Sequence, residues 1–160
     1  MNIRLATETD WPNIWPILRA VIAGGDTYML APDCSEAEAR EYWMGIPIQT
    51  YIAEMDGAVV GTYTLRANQR GLGSHVANAG YMVRPGTFGK GIGAALCEHS
   101  LEMARAQGFL AMQFNAVVST NTRAVALWQR MGFAIVGTIP KAFRHATLGY
   151  VDIHSMHRFL

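Results

Sequence analysis

Phe88, Gly89, Lys90, Gly91, Ile92, Gly93 and Ala94 set three glycines in alternation between an apolar, strand-like run and a long helix-like run. Glycines let a backbone come close to a ligand and adopt turns closed to other residues. The helix that follows offers unpaired N–H groups and the positive end of its dipole. Phosphate oxygens are the natural guests of such a cradle. A tight turn needs one glycine, so three in alternation point to something lying against the backbone. A phosphate-binding P-loop would require a glycine at Arg84 and a Ser or Thr at Gly91, and it is rejected. Gly89, Gly91 and Ala94 do fit the spacing of a dinucleotide fingerprint. The ribose-binding acid expected about 20 residues further on is missing from the local QFNAVVSTN, and three strands precede the glycines.

Side chains able to do acid–base or nucleophilic work are sparse. Tyr81 offers a hydroxyl just ahead of the glycines, and His75, His145 and His154 are of the residue type best suited to shuttling protons. Cys34 has no activating base in its local sequence, Cys97 falls on a core stripe of the long helix, and Glu54 reads as solvated. No multi-cysteine metal site is spelled out, and no metal is expected.

The elements that must carry these residues can be read in order. Asn2 to Ala6 reads as a strand, and Thr9 or Asp10 caps a helix in which Pro16 predicts a kink or a late start. Ser35 and Glu38 match a capping box for a second helix. Two strand-like runs flank Asp56-Gly57, a strong hairpin signal, and a third strand ends at Pro85-Gly86. The glycine stretch opens a helix that stops at Gly108, followed by an uncharged, hence central, strand from Ala111 to Val118. A helix beginning at Thr120 or Asn121 ends at Gly132. A strand then runs from Phe133 to Gly137, a loop covers PKAFRHATLG, and the last strand spans Tyr150 to Phe159. The order βααβββαβαββ belongs to an α/β or α+β domain with a mixed sheet.

The 160 residues, 51% hydrophobic and 16% charged, fit one globular domain spanning 1–160. Residues 1–56 hold nine acids against three bases, whereas 57–160 hold ten bases against three acids. A phosphate-bearing ligand suits the second part and a cationic one the first. Two well-separated cysteines and no membrane-length apolar run lead us to expect a cytoplasmic protein with no membrane or nucleic-acid partner.

VRPGTFGKGIGAAL followed by STNTRAVALWQRMGF resembles the two signature segments of the GNAT N-acetyltransferase superfamily, V-x-P-x-x-(Q/R)-G-x-G-I-G-x-x-L and N-x-x-A-x-x-L-Y-x-x-x-G-F. The opening IRLATETDWPNI and the deduced element order agree, so the resemblance covers nearly the whole chain. TYML, SEAEAREYW and the ending AFRHATLGYVDIHSM are similar to small-molecule or amino-acid-type members. The resemblance implies a mixed, mostly antiparallel sheet of six to seven strands with about four helices on both faces. It also implies acetyl-CoA as cosubstrate and a primary amine as acceptor.

By that resemblance the amides of Phe88, Gly89, Lys90, Gly91, Ile92, Gly93 and Ala94 would hold a pyrophosphate. The strand edge at Tyr81, Met82 and Val83 would pair with the pantetheine arm, and Asn121 and Trp128 would meet the CoA. Lys90, Arg123 and Arg130 would add charge for the phosphates. Tyr28, Met29, Trp43 and Tyr150 would line the acceptor pocket, and homodimerisation is common in that family. The chain departs from the pattern at three positions. Phe88 stands where Gln or Arg is usual. Trp128 replaces a tyrosine thought to protonate the thiolate, and an indole N–H is a very poor acid. Asn78 stands near a catalytic glutamate of some relatives and cannot act as a base. Tyr81 and Asn78 are nevertheless the side chains nearest the expected chemistry. The expected activity is direct acetyl transfer to a small amine such as an amino acid. Acetylation of a protein or peptide, and an acyl-CoA-binding module without turnover, fit the same residues.

Overall fold

Turn and cap chemistry accounts for most element boundaries in the computed structural model, which describes residues Met1–Leu160. The strands are β1 (Asn2–Leu5), β2 (Gln49–Met55), β3 (Ala58–Ala67), β4 (Val76–Val83), β5 (Ala111–Val118), β6 (Ala134–His145) and β7 (Gly149–Phe159). The helices are α1 (Trp11–Ala23), α2 (Glu36–Met44), α3 (Ile92–Ala106) and α4 (Thr122–Arg130). The order is the one read from the sequence.

Asp10 anchors the start of α1. Its carboxylate accepts the Thr7 N–H at 2.7 Å and the guanidinium of Arg4 at 2.8 and 2.9 Å, while Arg4 also reaches Glu54 of β2. That fork holds the Asp10 carboxyl well below the usual carboxylate range. The helix starts at Trp11 and continues through Pro16, so the expected late start is corrected. Pro16 forfeits only the bond that its N–H would have made to Pro12, in the first turns. At α2 the Ser35 hydroxyl accepts the Glu38 N–H at 3.2 Å and Glu38 returns a bond to the Ser35 N–H at 2.8 Å. Asp56 (φ 53°) and Gly57 (φ 76°) both take left-handed conformations, as a two-residue hairpin turn requires.

The sheet runs β1-β2-β3-β4-β5-β7-β6, antiparallel except between β4 and β5. Helices α3 and α4 bury Leu96, Cys97, Leu101 and Trp128 on one face against Tyr63, Leu65, Ala77 and Met112. On the other face α1 and α2 bury Ile14, Ile17, Leu18 and Trp43 against Ile52, Val59 and Met82. No helix is long and apolar enough to cross a membrane.

The sequence reading is corrected at the C-terminal hairpin, where β6 continues to His145 instead of ending at Gly137. An edge strand tolerates proline because its outer N–H needs no partner. Between Ile139 and Phe143 the register shifts, Lys141 turns to φ 53°, and its N–H is taken by the Asp152 carboxylate at 2.9 Å. The irregularity absorbs Pro140, and strand pairing resumes.

Candidate active site

Strands β4 and β5 pair only at Val76–Ala111 and Ala77–Met112, then part. A wedge of aromatic rings fills the root of the gap on the α3 side. Tyr81 lies 4.8 Å from Trp128 and 5.8 Å from Phe114, and Phe114 stacks on Phe133 at 4.2 Å. Beyond the wedge opens a cleft of about 820 Å³ that reaches from the glycine stretch to the residues beneath α1 and α2.

At one end, none of the seven amides from Phe88 to Ala94 donates a hydrogen bond within the protein. The next donor is Ala95, to the Gly91 carbonyl at 3.0 Å. Gly89 (φ 85°) and Gly91 (φ 76°) are left-handed, and a Cβ built on either would meet no protein atom. The space in front of them is therefore free for a ligand, and unpaired donors at a helix N-terminus suit phosphate oxygens. Gly93 has a different job, because a Cβ there would lie 3.3 Å from Leu127, so it lets α3 approach α4.

The strand edge follows from register. Bonds from Asn68 N–H to the Val76 carbonyl and from Arg84 N–H to the Val60 carbonyl bracket the β3–β4 ladder. Even-numbered residues between them, Met82 included, therefore turn their backbone groups toward β3, while Ala79, Tyr81 and Val83 turn theirs into the cleft. Met82 is thus removed from the expected set of pairing groups, and its side chain is buried under α1. The Tyr81 carbonyl already accepts the Tyr28 hydroxyl at 2.9 Å. Gly80 makes room for that hydroxyl, which lies 3.2 Å from where a Cβ would stand.

Of the other expected side chains, Tyr28, Met29, Trp43, Asn78, Asn121 and Trp128 line the cleft, as do Phe88 and the glycines. Trp43 is held from below by its N–H to Thr62 at 2.9 Å and packs edge-on against Tyr28 at 5.8 Å. Asn121 caps α4 through the Ala124 N–H at 3.2 Å. Asn78 donates to the Gln113 carbonyl at 2.9 Å, where the strands part. Three positions differ from expectation. The Tyr81 hydroxyl is buried beside Ser100 at 2.7 Å, and burial pushes its pKa well above that of free tyrosine, so the side chain is packing and only the main chain faces the cleft. Lys90 is exposed and outside the cleft lining. Tyr150 is 68% exposed on the β6–β7 ribbon, away from the cleft. Thr27, Tyr42, Thr64, Arg66 and Asn115 also line the cleft and were not singled out from sequence. The alternation of Thr62, Thr64 and Arg66 along β3 was the available signal.

No histidine lines the cleft. His145 accepts the Leu148 N–H of its own turn, and His154 bonds Thr138. Cys97 is buried under α3, which pushes its thiol up to about 12. Glu54 is committed to Arg4. Asp26 is the only carboxylate of the lining.

The departure at Phe88 has a physical counterpart. Arg123, in the first turn of α4, places its guanidinium carbon 4.8 Å from the centre of the Phe88 ring, and both residues line the cleft. The aromatic ring supplies a platform that brings a cation from another helix to the free amides.

The family model described as the acetyltransferase (GNAT) family matches residues 20–133. A GCN5-related N-acetyltransferase from Kribbella flavida is 44% identical, with 99% of this chain and 97% of that one covered at a TM-score of 0.93. The N-acetyltransferase aca1 of Schizosaccharomyces pombe is 36% identical over 61% of this chain, and the match spans only 47% of that protein. An L-methionine sulfoximine/L-methionine sulfone acetyltransferase of Pseudomonas aeruginosa is 31% identical over 88% of this chain and 84% of its own length.

Two outcomes are expected from titrations with acetyl-CoA. Gly91→Val introduces about 1–2 kcal/mol of left-handed strain and a branched side chain in front of the amides, so affinity falls more than about tenfold while the far-ultraviolet dichroism stays native. Unchanged affinity in the folded variant contradicts the placement. Arg123→Ala weakens binding, Phe88→Ala weakens it less, and the double variant shows a coupling of about 0.5–1 kcal/mol. Strictly additive losses mean that the ring does not position the cation.

Proposed function

Because the chain belongs to the GNAT acetyltransferase family, we propose that it moves the acetyl group of acetyl-CoA directly to the primary amine of a small molecule, an amino acid or a close relative. Residues 1–160 act as one catalytic domain. The observation that carries this reading is the run of free amides at 88–94 beside a strand edge whose far end opens beneath α1 and α2. The likeness to an acetyltransferase of L-methionine sulfoximine and L-methionine sulfone from Pseudomonas aeruginosa supports an amino-acid-like acceptor.

The cosubstrate supplies an activated acyl carbon. The amides of 88–94 and Arg123 bind its phosphates, and the N–H groups of Tyr81 and Val83 face the cleft where an acyl oxygen gains negative charge. Asn121 orients the cosubstrate from the α4 cap. Asn78, with its amide nitrogen fixed on Gln113, offers a side-chain oxygen that has no protein partner and can accept an N–H of the incoming amine. As the new C–N bond forms, the C–S bond breaks and the sulfur takes up a proton. Trp128 can donate a hydrogen bond but cannot give up its proton at neutral pH, so water serves at both ends. Catalysis is then mostly positioning.

The outer edge of β6 is unpaired and carries exposed Ile135, Val136 and Ile139, which supports a homodimer formed along this ribbon. Two free thiols support a reducing, cytoplasmic setting.

Thiol release from acetyl-CoA with a panel of small amines is expected. The logarithm of kcat/KM should climb with unit slope as pH rises toward the pKa of the amine, because the neutral amine is the reactant and no histidine intervenes. A plateau setting in near pH 6–7 contradicts the absence of a protein base. Acetyl-CoA binding without thiol release on any amine favours a non-catalytic module, and activity on peptides alone favours the protein-acetylating reading. For the assembly, light scattering should give twice the chain mass, reduced to the monomer by Val136→Lys with Ile139→Lys; a monomeric parent protein contradicts the dimer.

A further inference from the structure

Arg66 is a cation without a counter-ion. It stands near the end of β3, half-buried, and lines the cleft. The ion pairs of the protein use Arg4 and Arg40, and no side-chain hydrogen bond involves Arg66. Its register partner is Asn78, and Thr64, two residues earlier, faces Gly80. This row of β3 lies on the α1–α2 side, because Thr62 of the same row accepts the Trp43 N–H. Arg66 shares the cleft lining with Tyr42 of α2. Arg66 therefore sits at the acceptor end, away from Arg123 and the free amides.

A second polar group is left over in the same cleft. The Thr27 hydroxyl, on the α1–α2 loop, is the only buried side-chain nitrogen or oxygen in the protein with no hydrogen-bond partner. A buried hydroxyl without a partner, and a guanidinium partly removed from water without an anion, are both unfavourable unless a ligand completes them. A carboxylate suits both, since it accepts two parallel N–H bonds from a guanidinium and a further bond from a hydroxyl.

We infer that the acceptor amine carries a carboxylate, that Arg66 receives it, and that Thr27 contributes a donor to the same bound molecule. The inference rests on the acetyl-transfer reading above. Because Asn78 is the cross-strand neighbour of Arg66 and borders the gap between β4 and β5, a carboxylate on Arg66 leaves an amine one or two bonds away directed toward that gap. That cross-strand adjacency favours an acceptor whose amine and carboxylate lie close together, as in an α-amino acid, over a long diamine or a simple alkylamine.

The test compares a panel of L-amino acids, each beside its carboxamide, in wild type, Arg66→Ala and Arg66→Gln, with acetyl-CoA affinity and dichroism as controls. Wild type should show a KM at least about tenfold lower for the acids than for the carboxamides. Both variants should raise the KM for the acids about tenfold or more, with kcat at saturation, the carboxamide KM and acetyl-CoA affinity unchanged. Equal wild-type KM values for acids and carboxamides, or equal losses on both in the variants, overturn the assignment of Arg66 and leave the acetyltransferase reading standing. Acetyl-CoA binding with no turnover of either series overturns the small-amine reading and this inference with it.

Discussion

The parting of β4 from β5 after two paired residues is the constraint on which the site depends. A sheet that stayed paired would use up the N–H and C=O groups of Ala79, Tyr81 and Val83 and would leave no passage from one face to the other. Two features hold the strands apart. The rings of Tyr81, Phe114 and Trp128 occupy the root of the gap, and β5 shifts register against β7 between Phe114 and Val117. The Tyr81 side chain, tied to Ser100 of α3, is thereby structural, while its main chain is what the cleft presents. Tyr28 closes one carbonyl of that edge from the acceptor side.

Charge is divided between the two mouths of the passage. At the α3 end the donors are backbone amides supplemented by Arg123 on its Phe88 platform, an arrangement that holds phosphates without the usual side chain at position 88. At the α1–α2 end the lining carries Arg66 and Asp26 among uncharged groups. Titratable bases are absent between the two, so the cleft works by fixing positions and by excluding alternatives rather than by moving protons through side chains.

The features written in local residue chemistry were legible in the sequence. Ser35 with Glu38, Asp56-Gly57, and the glycines at 108 and 132 set boundaries through bonds or φ angles that depend on neighbours alone. The uncharged run at Ala111–Val118 correctly marked an interior strand. What escaped depended on register or on distant partners. The parity that turns Met82 away and Tyr81 inward exists only once β3 is paired, and the Tyr81 hydroxyl finds Ser100 only when α3 packs. Continuation of β6 past Pro140 required Asp152 on β7 to take the Lys141 N–H. The isolation of Arg66 is likewise a statement about which acids do not reach it.

The central claim is that the backbone from Phe88 to Ala94 holds the phosphates of acetyl-CoA, and amide nuclear magnetic resonance tests it most directly. On saturation with acetyl-CoA, the N–H signals of these seven residues should move downfield together and their hydrogen exchange should slow. Pantetheine, which lacks the phosphates, should perturb the Tyr81–Val83 edge and leave those seven signals in place. If acetyl-CoA binds while the seven amide signals keep their positions and exchange rates, the cradle is not the phosphate site.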